Sequence, residues 1–278
     1  MTIVPDTKIA DFDAELTHVV VGDTTVALWR VAALERHVDR AALLATDDAP
    51  DPPYWAHLWN GAAVLAAAVP RGVPSVLELG CGLGLPGLAA ACRGGRVTFV
   101  DRVPAALAFV RASAAANGLG TVDVVAGDVT APALVARFEL VLAAELVYER
   151  AAFPALARAL AGHLAPHGRA LLADAGRIDT RAFYTELAAA GLAWQATDRC
   201  VREEGFPLTV KLVEITHADR RAPPSPALYD ANRVEEKPER GAADQPSVTR
   251  PSSSAGRRVP GPVPELVQLP GSEPESAR

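Results

Sequence analysis

The chain has 278 residues, 50% of them hydrophobic and 22% charged, which excludes disorder of the whole and is enough for one sizeable core or two small ones. A formal charge of −6 lacks the basic surplus that a grip on nucleic-acid phosphates requires, so nucleic acid is not an expected partner. The three cysteines, Cys81, Cys92 and Cys200, show no CxxC pair and no metal-ligand spacing, so neither a disulfide framework nor a metal site is expected.

From Met1 to Asp13, Pro5 and acidic residues stand where a secretory signal needs a basic segment and an apolar run. His18–Val31 reads as a hairpin turning at Gly22-Asp23, followed by a helix from about Ala32 to Ala45. Residues 1–50 are therefore expected to form a small N-terminal extension, either a lid over the site or a cover for a sheet edge. The uncharged stretch Pro52–Pro70 opens on two prolines, and its continuous apolar part after Asn60 is only Gly61–Val69, far short of the roughly 20 residues of a membrane span. No membrane association and a cytoplasmic location are expected.

Further along, short β-branched runs alternate with Ala/Leu-rich ones. Strands are predicted at Ser75–Leu79, Val97–Val100, Val122–Ala126, Leu140–Ala143 and Ala170–Ala173. Helices are predicted near Pro86–Arg93, Pro104–Asn117, Pro132–Arg137 and Ala151–Leu164, the first three opening on proline, where a missing N–H costs least. A helix around Arg181–Ala190 precedes two extended segments, Trp194–Val201 and Thr209–Ile215, joined by the turn Glu203–Pro207. This is the pattern of a doubly wound α/β fold: a mostly parallel sheet with an antiparallel ending.

From His217 on, 11 of the 23 prolines fall in 62 residues, with nine acidic and nine basic side chains. Such a composition cannot offset its ordering entropy, so residues 217–278 are expected to be a disordered Pro/Ser-rich tail. The folded domain is then 51–216, and the net charge belongs to residues 1–216.

The chemistry concentrates at the first strand-to-helix turn, Glu78-Leu79-Gly80-Cys81-Gly82-Leu83-Gly84. Glycines there allow a sharp turn and close approach of a ligand, and the helix start offers unpaired N–H groups. Gly82, Gly84 and Gly87 also satisfy GxGxxG, so a dinucleotide is the competing reading. Glu78 separates the two, because its carboxylate would repel a pyrophosphate but accepts a hydrogen bond from a cationic amino-acid group such as that of S-adenosylmethionine. Asp101, directly after the second strand, is placed to reach ribose hydroxyls, and Asp128, after the third, to accept from the exocyclic amine of adenine.

Together with the antiparallel ending, Glu78-x-Gly80-x-Gly82-x-Gly84, Asp101 and Asp128 resemble the seven-stranded, Rossmann-like class I S-adenosylmethionine-dependent methyltransferases. Pro53-Tyr54-Trp55-Ala56-His57-Leu58-Trp59 upstream and Glu145-Leu146-Val147-Tyr148 after the fourth strand narrow the likeness to the protein-lysine methyltransferase-like group. Asp174-Ala175-Gly176-Arg177 is most similar to the branch acting on the electron transfer flavoprotein β subunit. Asn60, Ala175 and Ile178 depart from it, standing where that branch has proline.

The resemblance implies S-adenosylmethionine as cofactor, with Trp59, Gly80, Gly82, Asp101 and Ala144 against it. It places Glu145 and Tyr148 beside the acceptor nitrogen, as the catalytic pair. The acceptor is expected to be a lysine of a protein substrate. Three alternatives stand beside this: a small amine of the nicotinamide type, a non-catalytic S-adenosylmethionine-binding module, and an NAD-linked oxidoreductase. Among the histidines only His57 lies near the expected site.

Overall fold

A computed structural model of the chain describes residues 7–38, 52–131, 134–203 and 205–218. It opens with an antiparallel meander of β1 (Thr7–Ile9), β2 (Phe12–Val21) and β3 (Thr24–Val31), followed by a single 3-10 turn at Leu34–His37. The hairpin turns at Gly22-Asp23, as its sequence predicts. The 3-10 turn replaces the start of the predicted helix. Residues 39–45 of that helix, and the tail from 219 on, lie outside the described residues.

The main body alternates α1 (Asn60–Ala68), β4 (Ser75–Leu79), α2 (Leu85–Cys92), β5 (Arg96–Asp101), α3 (Pro104–Ala116), β6 (Asp123–Ala126), β7 (Phe138–Ala144), α4 (Phe153–His163), β8 (Leu164–Asp174), α5 (Arg181–Ala189), β9 (Leu192–Glu203) and β10 (Phe206–His217). Its seven strands lie in the order β6-β5-β4-β7-β8-β10-β9, with β10 antiparallel to both neighbours and the other pairs parallel. The direction of winding reverses between β4 and β7, and in open α/β sheets ligands bind outside the carboxyl ends of the strands at such a point.

Strand alternation sorts the core into two layers. Val76, Leu140, Leu142, Leu171 and Ala173 face the side covered by α1, α2 and α3, whereas Leu77, Leu79, Val141, Ala143, Ala170 and Leu172 face α4 and α5. Both faces are covered, so the strands read as continuous apolar runs.

The predicted helix Pro132–Arg137 is a correction: residues 134–137 are not helical, and Pro132 and Ala133 lie outside the described residues. Side chains and backbone of α4 and β8 take its polar groups instead. Arg137 Nη1 donates to the Leu164 carbonyl at 2.8 Å, and His163 Nδ1 lies 3.0 Å from the Ala136 carbonyl. A stretch of one or two turns cannot recover the cost of helix nucleation unaided.

The N-terminal meander is fastened to the main body. Asn117, at the end of α3, pairs through its side-chain amide with both the N–H and the carbonyl of Ala27, at 2.9 and 2.7 Å. Ser113 accepts from the Trp29 N–H at 2.9 Å. The buried Arg93 donates to the carbonyls of Val21, Ala66 and Val69 and to Thr24 Oγ1, at 2.7 to 3.0 Å.

At the other end of the sheet, β9 and β10 pair along twelve residues each, but β10 pairs with β8 only from Lys211 to Thr216. Phe206–Val210 and their β9 partners therefore extend past the β8 ladder as a two-stranded ribbon.

Candidate active site at the carboxyl ends of the strands

β4 delivers Glu78 to the glycine turn. The side chain is 1% exposed, and its Oε2 accepts the Gly87 N–H at 2.9 Å. Burial pushes its carboxyl up to about 8, with Asp101 adding to the rise and the Gly87 N–H opposing it. Gly80, Gly82 and Gly84 all have left-handed backbones, with φ of 55°, 51° and 75°, a conformation that glycine adopts at no steric cost.

The chain itself uses some of the space that these glycines leave. A Cβ on Gly80 would run into the Leu146 side chain, and one on Gly82 would come within 2.8 Å of the Trp55 carbonyl. The turn is therefore walled by segment 54–59 on one side and by the loop after β7 on the other.

β5 delivers Asp101, whose two oxygens each hold one backbone N–H: Oδ2 from Gly82 at 2.8 Å and Oδ1 from Val103 at 2.9 Å. Burial raises this carboxyl while the two N–H groups pull it down. A carboxylate oxygen has two lone pairs, so each keeps one for a further donor. Asp128 is exposed and closes a local turn, with Oδ1 accepting from the Thr130 N–H and hydroxyl at 2.8 and 2.7 Å. These bonds hold its carboxyl below the usual range.

The residues expected beside the acceptor lie at the ends of β7 and β8. Ala144 pairs with Ala173 in the ladder, and Glu145 follows with a left-handed backbone, φ 55°, which costs a non-glycine residue on the order of 1 kcal/mol or more. Its contacts hold it there. Glu145 donates its N–H to Ala173, and its Oε1 accepts from the Gly61 N–H at 3.2 Å, in the first turn of α1. Oε2 accepts from the Ala175 N–H at 3.4 Å and lies 3.5 Å from Arg177 Nε. The absence of a side chain at Gly61 is required, since a Cβ there would overlap the Glu145 carboxylate. Alanine at 175, where the resembling branch has proline, is what provides an N–H for Oε2.

Trp59 caps α1 and packs against Arg177, whose Cζ lies 4.5 Å over the indole, and against His57 at 4.3 Å. Trp55 turns the other way. Its ring meets Phe12 of β2 and Phe109 of α3, both at 5.4 Å, so it anchors the segment to the meander and the core. Tyr148 sits in the turn after Glu145 with 54% of its surface exposed.

The sequence singles out Glu78, Gly80, Gly82, Gly84 and Asp101, and the fold gathers them on one turn. Ala144 and Glu145 lie at the neighbouring strand end, joined to that turn through Leu146. Missed were Glu203, which accepts from Asn60 Nδ2 at 3.0 Å across 143 residues, and the left-handed turn at Glu145. A charge at a strand end is visible in sequence. Its partner from the last hairpin is not.

Residues 76–168 match a family described as "Methyltransferase domain". The matched segment runs from β4 into β8 and holds the glycine turn, Asp101 and Glu145. The domain is similar to EEF1A lysine methyltransferase 3 of Mus musculus, at 34% identity over 108 residues, 37% of this chain and 46% of that protein. The chain thus spans about half the length of this curated relative.

Among solved structures, one from work on the conversion of a disulfide bond into a thioacetal group during echinomycin biosynthesis is 20% identical, covers 60% of this chain and 85% of the other, and has a TM-score of 0.50. Magnesium protoporphyrin IX methyltransferase from Synechocystis is 17% identical, with 56% and 76% covered and a TM-score of 0.46.

The donor set of the site fits S-adenosylmethionine. Buried carboxyls at the ends of β4 and β5 offer acceptors for an ammonium and for ribose hydroxyls, beside a turn that glycine alone adopts freely. Among the described residues no group of three or more His, Cys, Asp or Glu is placed to hold a metal, and no helix is long and apolar enough to cross a membrane.

Proposed function

We propose that this domain transfers the methyl group of S-adenosylmethionine to an amine nitrogen, with a lysine side chain of a protein as the acceptor. The observation that carries the reading is the pair of buried carboxyls, Glu78 and Asp101, flanking three left-handed glycines at the winding reversal. Lysine as acceptor is supported by the relative named above and by Glu145, a carboxylate at the neighbouring strand end.

The cofactor supplies an activated methyl group on sulfur, open to in-line displacement by a nitrogen lone pair. What the chain must add is placement. Glu78 holds the cationic amino-acid end, Asp101 the ribose diol, and Gly80, Gly82 and Ala144 line the backbone side, with Trp59 and Asp128 at the nucleoside. Glu145 attracts and orients the acceptor cation, the ammonium passes its proton to solvent water to free the lone pair, and Tyr148 lines its approach.

Incubation of the full chain with labelled S-adenosylmethionine and lysate from a methylase-deleted strain tests this. Label recovered as methyllysine in protein hydrolysate is the expected result. Label confined to small molecules overturns the protein substrate in favour of a nicotinamide-type amine. Cofactor binding by calorimetry with no transfer leaves a binding module.

A further inference from the structure

Glu145 is one end of a chain of contacts on the acceptor side. Arg177, in the loop after β8, stands at its centre, with Nε 3.5 Å from Glu145 Oε2, Nη2 3.7 Å from Glu203 Oε1, and Cζ 4.5 Å over the Trp59 ring. Glu203 ends β9 on the overhanging ribbon and is pinned from a second side by Asn60 at the start of α1. Three segments far apart in sequence therefore meet on one guanidinium. A planar fork can serve two carboxylates and cover an indole face at once, which an ammonium cannot.

We propose that Arg177 is the positioning residue of the amine site: it fixes the ribbon tip and the Trp59 ring beside Glu145 and keeps Glu145 in its charged form for an incoming cation. The inference rests on the amine-methyltransferase reading of the site.

The groups facing Glu145 oppose one another. Burial pushes its carboxyl up and Asp174 at the end of β8 pushes the same way, whereas Arg177 and the N–H groups of Ala175 and Gly61 pull it down. From segment 52–59, His57 is held down at about 4 by burial, with Arg177 and Arg30 of β3 adding to the fall and Glu203 opposing it, so it brings no rival cation at neutral pH. On the ribbon side, Glu203 is shared between Arg177 and Asn60. The guanidinium is thus the charge that offsets the burial of Glu145.

The test uses the full chain and two readouts. Carbon-13 NMR of the carboxyl groups, with Glu145 assigned by its loss in Glu145→Gln, follows its titration directly. Arg177→Gln is expected to raise the midpoint by about 1 pH unit and Arg177→Lys to restore most of it. Arg177→Met, which keeps the packing of the stem, is read like Arg177→Gln if the latter does not fold.

Transfer of label from S-adenosylmethionine into lysate protein is the second readout. The acid limb of its pH profile, measured at saturating S-adenosylmethionine so that any loss of affinity through Trp59 does not enter it, moves up with the NMR midpoint in Arg177→Gln. An unmoved midpoint, or a uniformly slower reaction with an unmoved acid limb, overturns the proposal. If the unaltered chain transfers no label at any pH, the methyltransferase reading fails, and the NMR titration still decides whether Arg177 sets the charge of Glu145.

Discussion

Glu78 combines two properties that are seldom found together: nearly complete burial and a place at the mouth of a ligand turn. With its carboxyl pushed up to about 8, it is protonated at neutral pH until a cation arrives. In the proposed site, binding of a cationic amino-acid group favours the carboxylate, so Glu78 would lose its proton as S-adenosylmethionine binds. Affinity should therefore weaken as pH falls below about 8, by at most about tenfold per unit, with proton release visible when calorimetry is repeated in buffers of different ionisation enthalpy. Glu78→Gln should lower affinity by about 10- to 100-fold near pH 8 and flatten the dependence. An unchanged slope in the variant would place the titrating group elsewhere. Glu145, by contrast, shows what residue-level reading leaves out. Its charge and place after a strand are plain in sequence, but its left-handed turn depends on Gly61, Ala175 and Arg177, which only the fold brings to it.

At the scale of elements, the N-terminal meander is hydrogen-bonded to the main body from two sides. Asn117 pairs with Ala27 of β3, and the Arg93 guanidinium ties the end of β2 to α1. Removing Arg93 would strip buried carbonyls of their donor, so Arg93→Ala should destabilise the fold by about 3 kcal/mol, as measured by denaturant unfolding. A loss of less than about 1 kcal/mol would show that the meander contributes little. The long strands and helices are legible because periodicity and proline mark them, as Pro104 marks α3. β1, with three residues, is too short to carry a period, and 134–137 has a helix-start proline before it but its groups are bonded to α4 and β8. The partner of Asn60 could not be foreseen either, since asparagine at a helix start reads as a local cap until the last hairpin is in place.

For the molecule as a whole, four carboxyls at the strand ends, Glu78, Asp101, Glu145 and Asp174, are all raised by burial. A raised acid binds its proton more tightly folded than unfolded, so it favours the fold at low pH and loses that contribution as pH rises through its folded value. His57, lowered to about 4, works in the opposite sense, adding stability as pH rises from about 4 to the ordinary histidine range. Above about pH 6.5 the histidine contribution is complete, and Glu78 dominates. The unfolding free energy of the ligand-free protein should fall by on the order of 2 kcal/mol between pH 6.5 and 8, read as a lower thermal midpoint, and Glu78→Gln should remove most of the fall. A flat or rising midpoint would contradict the burial of these groups. The overhanging ribbon has a mechanical consequence of its own. β8 pairs with it only as far as Lys211; beyond that point Val210 is buried in the core with Leu208 and Val201 packed against the same cluster, and its end carries the exposed Phe206 and the Glu203 that Arg177 and Asn60 hold. In the proposed site, lengthening or shortening the ribbon tip would alter the reach of the wall beside Glu145 while the bonds of the glycine turn stay in place, so the range of acceptors could drift while the chemistry stays fixed.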